Sequence, residues 1–479
     1  MALALARTDE ASLYIDGRWV ATPRAVEVRH KWTGKLLGRV GLAEREHVEA
    51  AVAAAQRAAR RPLDAYRRYV ILRDAARMIE EQAEAFARLI AQEGGKPLKD
   101  ARAEVERGIQ TLTLSAEEAK RLHGETVPLD AAPGGAGRVG VALRVPVGVV
   151  AAIAPFNFPL NLVLHKVGPA LAAGNAVVLK PATATPLTAV RLCEIFERAG
   201  LPAGFLNLVV GPGDPIGDWL VESPAVRLVT FTGSPAVGRR IQARAGLKKV
   251  VLELGNNSAN IVHADADLPR AAELLARKAY GSAGQFCVSV QRIYVHRDVA
   301  GRFADLMAEA AARLKVGDPE DPETDVGPLI SEAEARRVEA WIEEAVAGGA
   351  RVLCGGRRTG ALVEPTLLAG VRPDMKVVCQ EVFGPVASIV PYDDFDEAVR
   401  LVNDSPYGLQ AGVFTRDLAL AWKAALEIEC GGVIINDTSS FRADLMPYGG
   451  VKESGVGREG PRYAVEEMTE VRMVVFNLS

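Results

Sequence analysis

From Ala142 onward the sequence alternates short β-rich runs with stretches of helical periodicity, and no other feature restricts the fold as tightly. Residues 147–153, 175–180, 205–210 and 227–232 are apolar and β-branched, and residues 187–199 carry a helical pattern that stops at Gly200. Strands separated by helices predict right-handed βαβ units and a parallel sheet covered on both faces. Ligands of such sheets bind beyond the carboxyl ends of the strands, so the residues that follow each run are the ones to read for chemistry.

Lys180 closes one run and is followed by Pro181-Ala182-Thr183-Ala184-Thr185-Pro186, a proline-bounded turn of hydroxyl residues. A cation there suits a ribose hydroxyl or a phosphate. Thr232-Gly233-Ser234-Pro235 closes another, with Ser234 fit for an N-cap and Pro235 for the first helical position. It reads equally as a plain helix cap or as a helix start that receives a pyrophosphate, and it is not the GxGxxG fingerprint. In Ala154-Pro155-Phe156-Asn157-Phe158-Pro159 the asparagine either bonds its own loop or donates to an anion. Glu253, inside the apolar Val251-Leu252-Glu253-Leu254-Gly255, either faces solvent from an edge or occupies a pocket that raises its pKa and suits it to general-base work.

Cys287 lies on a bend, after a helical pattern over 268–280 that breaks at Gly281 and Gly284 and before a strand pattern over 292–296. A thiol on a bend can act as a nucleophile, although free cysteines are more often simply buried. The five cysteines, at 193, 287, 354, 379 and 430, are scattered and include no CxxC pair, which disfavours a disulfide framework and a zinc site; no metal is expected. A net charge of -3 gives no electrostatic case for nucleic acid or an acidic membrane. Met1 to Arg7 is too short for a signal peptide and no apolar run reaches membrane-spanning length, so a reducing, cytoplasmic setting is expected. Upstream, Asp16-Gly17 marks a hairpin turn, and helices are expected over 45–59, 65–93 and 98–118. Residues 301–348 read as mostly helical, broken over 317–329, and the alternating tail 471–476 as a strand.

Seven motifs in order, spanning nearly the whole chain, resemble the aldehyde dehydrogenase superfamily. They are Pro155-Phe156-Asn157, Gly174-Asn175 with Lys180-Pro181, Phe231-Thr232-Gly233-Ser234, Leu252-Glu253-Leu254-Gly255, Gly284-Gln285-Phe286-Cys287, Glu381-Val382-Phe383-Gly384-Pro385 and Pro447-Tyr448-Gly449-Gly450-Val451-Lys452-Glu453-Ser454-Gly455. Their texture is similar to the branch of lactaldehyde, phosphonoacetaldehyde and non-phosphorylating glyceraldehyde-3-phosphate dehydrogenases. The resemblance implies NAD(P)-dependent oxidation of an aldehyde to the acid. Cys287 would add to the carbonyl, Asn157 and the Cys287 N–H would hold the oxyanion with Lys166 in support, and Glu253 would activate the water that hydrolyses the thioester. NADP or NAD would be held by Lys180, Thr183, Gly233, Ser234, Phe231, Ala154, Pro155 and Leu254, with Glu381 and Phe383 at the nicotinamide end. Thr183 stands where many NAD-preferring relatives carry a glutamate that repels a 2′-phosphate, so NADP is admissible.

Phe286 beside the nucleophile narrows the pocket, leaving Arg107 and Arg442 as the expected anion grips for a small polar or anionic aldehyde. The implied fold is α/β. It comprises a doubly wound parallel-sheet cofactor domain (1–123 and 146–254), a related α/β catalytic domain (255–458) and a small β oligomerisation extension (124–145 and 459–479). The tail strand would join a partner's sheet, giving a homodimer or homotetramer. The rival readings are a CoA-acylating dehydrogenase, which would need no water-activating Glu253, and a catalytically silent scaffold of the same fold, which would have no reason to keep Cys287, Asn157 and Glu253 together.

Overall fold

A computed structural model describes residues 12–478. The stretch Met1 to Arg7 lies outside the described residues. The described residues build two large, mostly parallel sheets, a three-stranded antiparallel one and three two-stranded ones. The first sheet runs Arg18–Ala21, Ser12–Ile15, Leu206–Leu208, Ala176–Lys180, Val149–Ile153, Val226–Thr232, Lys249–Glu253 and Gly455–Val456, parallel from Leu206–Leu208 through Lys249–Glu253. Its order reverses beside Val149–Ile153, which leads into the Asn157 loop, so the crevice of this doubly wound sheet opens there. The central strands are buried along their whole length, the signature of a parallel sheet covered on both faces.

The second sheet runs Arg351–Cys354, Thr366–Ala369, Val386–Tyr392, Arg292–His296, Ala259–Val262, Gln410–Phe414 and Gly432–Ile435. It reverses at Ala259–Val262, which follows Glu253 by a short connection. The two crevices therefore face each other, with Glu253 at the end of one sheet and Cys287 just before a strand of the other.

One expectation needed correction. Residues 65–93 form two helices, Ala65–Glu80 and Ala83–Gly94, because Gln82 leaves helical geometry at φ −120° while its side-chain amide donates to the Met78 carbonyl at 3.1 Å. No glycine or proline marks the break. The tail strand Thr469–Asn477 runs antiparallel to Arg138–Pro146 over its full length, and Glu125–Val127 completes a three-stranded sheet, the segments that the sequence grouped as one β-extension. The hairpin forms as expected, with Asp16 and Gly17 both at positive φ between Ser12–Ile15 and Arg18–Ala21. Among the described residues no helix is long and apolar enough to cross a membrane.

Candidate active site

The helix Leu268–Tyr280 ends at Gly281, and the chain then takes three consecutive residues, Ser282, Ala283 and Gly284, through left-handed backbone. Such runs are strained for side chains other than glycine and persist where the surroundings over-determine them. Here Asp100 accepts from both the Ser282 N–H (3.0 Å) and its hydroxyl (3.1 Å). Gly284 is required twice over, since it has φ +68° and a β-carbon would collide with the Gly384 carbonyl. This turn delivers Cys287, half-buried, with Sγ 3.0 Å from the Tyr448 hydroxyl and Phe286, Val288 and Leu409 packed around it. Burial pushes the thiol up to about 12. The Tyr448 hydrogen bond opposes that rise, the Glu381 and Glu253 carboxylates add to it, and Arg442 counters it.

Asn157 is buried, and its amide N–H donates to the Gln285 carbonyl (2.9 Å), two residues before the thiol. This contact ties the end of Val149–Ile153 to the nucleophile turn and leaves one amide N–H uncommitted. The Cys287 N–H has no acceptor among the described residues. Glu253 is buried at the end of Lys249–Glu253, resolving the edge-or-pocket alternative in favour of a pocket, and neither carboxylate oxygen has a hydrogen-bond partner. Desolvation, followed by the charge of Glu459, holds Glu253 well above the usual carboxylate range, against Arg442 and Lys166. An added β-carbon on Gly449, next to Tyr448, would lie 2.9 Å from the Glu253 carboxylate, so the glycine-rich loop closes on this acid.

Unpaired buried polar groups are few in folded chains and mark sites with unmet ligands. Of the seven such side-chain atoms among the described residues, five belong to Asn157, His165, Glu253 and Arg442 around this chamber. The remaining charges of the chamber are matched. The Lys166 ammonium has three donors, and all three are spent, on Thr230 (3.3 Å), Thr232 (2.6 Å) and Glu459 (3.0 Å). It therefore does not support the oxyanion hole as the sequence suggested, but neutralises Glu459. Arg107 likewise is not a free grip: Asp444 holds it bidentately at 2.8 and 3.0 Å, leaving only Nη1 without a partner among the described residues. Arg442 donates from Nη2 to Glu459 (3.1 Å), approaches His165 Nε2 (3.1 Å), lies 3.7 Å over the Tyr448 ring and keeps Nε unpaired.

The facing crevice is different in kind. Lys180 is buried, and its ammonium has a single acceptor, the Pro181 carbonyl at 3.2 Å, with no carboxylate partner; burial alone lowers it to about 8. Thr183 turns its hydroxyl onto the Gly211 carbonyl (2.6 Å). Gly233 donates to the Glu253 carbonyl (3.0 Å) and admits no β-carbon, because the Phe231 ring folds against it. Ser234 caps the helix Pro235–Ala245, accepting from Val237 at 3.4 Å. Ala154 donates to the Lys180 carbonyl, and Leu254 to that of Ser454. Pro155 lies half-buried on the same loop. Across the crevice Glu381 accepts from the Asn256 N–H (2.9 Å), with burial pushing it up to about 7, and Phe383, at φ 48°, meets Phe156 edge-on at 5.8 Å. A lone buried cation, a glycine that admits no β-carbon and a half-buried acid at the far end could hold a dinucleotide.

The match of residues 19–474 to the aldehyde dehydrogenase family covers almost the whole molecule. The chain belongs to this family. It is 53% identical over 475 residues to the 3-sulfolactaldehyde dehydrogenase of Priestia megaterium, covering 99% of this chain and 100% of that protein. Among solved structures it is similar to GapN, the glyceraldehyde-3-phosphate dehydrogenase of Methanocaldococcus jannaschii complexed with NADP. That likeness has a TM-score of 0.91 at 40% identity, over 95% and 100% of the two chains. Aldehyde dehydrogenase 21 of Physcomitrella patens, in complex with its product succinate, matches with a TM-score of 0.95 at 38% identity over 98% of each chain. As a family member the chain is an NAD(P)-linked aldehyde dehydrogenase of the suspected branch.

Four residues of the aldehyde dehydrogenase chamber carried no role in the sequence: His165, Asp444, Tyr448 and Glu459. One signal was available, since His165-Lys166 are the only titratable residues in the otherwise apolar helix Asn161–Ala172. Glu459 and Asp444 stand in polar, glycine-rich sequence, where an acid is unremarkable.

Proposed function

We propose that this aldehyde dehydrogenase oxidises a small anionic aldehyde to its acid through a covalent thioester on Cys287. The observation that carries the reading is the convergence of Cys287, Glu253 and Asn157 on one chamber, where the last two keep unmet hydrogen-bonding atoms. The Cys287 thiol loses its proton to solvent, and the resulting thiolate forms a bond to the carbonyl carbon as the carbonyl electron pair moves onto oxygen. That oxyanion is received by the free amide N–H of Asn157 and the unpaired N–H of Cys287. The nicotinamide, when bound, supplies the hydride acceptor that turns the thiohemiacetal into a thioester. Glu253 then takes a proton from water, whose oxygen attacks the thioester carbon and releases the acid and the thiolate.

The anionic substrate class rests on the Priestia relative's name and on Arg442 Nε and Nη1 and Arg107 Nη1, guanidinium nitrogens that have no hydrogen-bond acceptor among the described residues. NADP is admitted beside NAD because position 183 offers a hydroxyl turned away onto Gly211 instead of a carboxylate. The domain division read from the sequence is kept as part of this proposal, with the first sheet apart from its edge strand Gly455–Val456 as cofactor domain, the second as catalytic domain and the three-stranded sheet as extension. The outer strand Thr469–Asn477 exposes Val471, Met473, Val475 and Phe476, and the outer strand Gly432–Ile435 lies near exposed Leu418, Trp422 and Leu426, so self-association into a dimer or tetramer follows. A monomeric mass by light scattering would remove that part.

The test is a panel of sulfo-, phospho-, carboxy- and alkyl aldehydes with both cofactors, with and without CoA, on the parent and on Cys287→Ala. We expect acid formation independent of CoA, preference for the anionic members, and a loss of about 10³-fold or more in the variant. Undiminished turnover by Cys287→Ala defeats the covalent route, acyl-CoA as the product defeats the hydrolytic one, and a preference for alkyl aldehydes defeats the substrate class.

A further inference from the structure

Tyr448 lies in a glycine-rich loop, is buried, and is fixed on both sides. Its backbone pairs with that of Glu459 through two hydrogen bonds, 3.1 and 2.6 Å, and the Arg442 guanidinium lies over its ring at 3.7 Å. Arg442 is itself pinned by the Glu459 carboxylate, so ring and backbone answer to the same residue. A buried phenol needs a partner. Its one partner among the described residues is the Cys287 sulfur at 3.0 Å. No other described hydrogen-bond donor reaches that sulfur.

We infer that Tyr448 is a catalytic residue, whose phenol O–H donates to the Cys287 thiolate and holds the sulfur in position for attack. The inference rests on the reading of Cys287 as the nucleophile. Donation runs in one direction only once the thiol has lost its proton, because a thiolate has none to give. Burial and the neighbouring Cys287 keep the phenol well above its ordinary value, so it stays protonated and never transfers its proton. The charged groups around the pair are Glu253, Glu381 and Arg442. The two carboxylates oppose the thiolate, and Arg442 favours it from the far face of the ring. With two acids against one cation, the phenol supplies the missing donor.

A hydrogen bond to a charged sulfur shifts its titration by about one to two pH units. Nucleophilicity falls as thiolate basicity falls, with a coefficient of about 0.4–0.5, so the net gain in reactivity below the thiol pKa is about three- to tenfold.

The test is Tyr448→Phe, which keeps the ring under Arg442. Alkylation of Cys287 by iodoacetamide is followed by peptide mass spectrometry across pH, alongside steady-state kinetics. We expect the alkylation profile to move up by about one to two units, the rate at neutral pH to fall about three- to tenfold, and kcat to fall with KM little changed. 3-Fluorotyrosine at 448, a stronger donor of the same shape, should move the profile down, and it serves if the phenylalanine variant does not fold. A Cys287 profile that superimposes on the parent in either folded variant overturns the proposal. Alkylation needs no turnover, so its outcome stands apart from Cys287→Ala, which judges the covalent route.

Discussion

Two crevices meet at Cys287, and they handle buried positive charge in opposite ways. On the cofactor side Lys180 is buried with one carbonyl and no counter-charge, at a cost that shows in its lowered pKa. On the other side Lys166, Arg442 and Arg107 are interleaved with Glu459 and Asp444, and each cation has a carboxylate partner. A cation left bare is poised for an anion or hydroxyl that arrives from outside. Cations already matched have their charge compensated before a ligand arrives, and they set the field around a third acid, Glu253. Glu253 and Glu459 make the point within one cluster. Both are buried, yet Lys166 and Arg442 hold Glu459 low despite its desolvation, while desolvation and Glu459 itself drive Glu253 high.

That contrast can be broken in three places. The largest effect is expected at Glu253→Gln, which should retain the first turnover and lose steady-state acid release by about 10²–10⁴-fold, read as a stoichiometric burst of reduced nicotinamide without sustained turnover. In the parent, thioester hydrolysis should rise with pH through the raised Glu253 pKa, since only the carboxylate accepts a proton, and this limb should vanish in the variant. A variant without a burst would place Glu253 before the thioester.

The next largest effect is on stability. Lys166→Met removes one of the two cations that hold the buried Glu459 carboxylate, leaving Arg442, and should cost about 1.5–3 kcal/mol in denaturant unfolding. The sign is fixed by Glu459: its folded pKa lies below the ordinary value, so the ion pair stabilises above about pH 4.5 and is lost as pH falls further. Parent and variant should therefore converge in acid.

The smallest effect sharpens the comparison from its other half. Lys180→Met removes a buried cation that lacks a counter-charge and should raise stability by about 1 kcal/mol, while weakening cofactor binding about tenfold or more, measured by calorimetry. Equal losses of stability in the Lys166 and Lys180 variants would erase the distinction between bare and matched cations.

Backbone placement was legible in the sequence wherever local preferences set it. Lys180 at a strand tip, Ser234 and Pro235 at a helix start, and Cys287 on a glycine-flanked bend each announce themselves within a few residues, because strand, cap and turn preferences act over that range. Reading failed where a side chain's role is decided by a partner far along the chain. Arg107 and Asp444 are 337 residues apart, and Lys166 and Glu459 are 293 apart. Nothing near Arg107 says that it is already taken, and nothing near Tyr448 says that its hydroxyl meets a sulfur 161 residues away. The break at Gln82 was equally silent, since neither glycine nor proline accompanies it.

The sequence by itself determined the alternation of strands and helices and the order of the motifs that carry the family resemblance, both of which depend on short-range preference and residue type. Only the tertiary structure decided which charges are spent and which are left for ligands, because that depends on how the ends of two sheets are brought face to face. Once a group is buried, its pKa and its free donors belong to its neighbours in space and not to its neighbours in sequence.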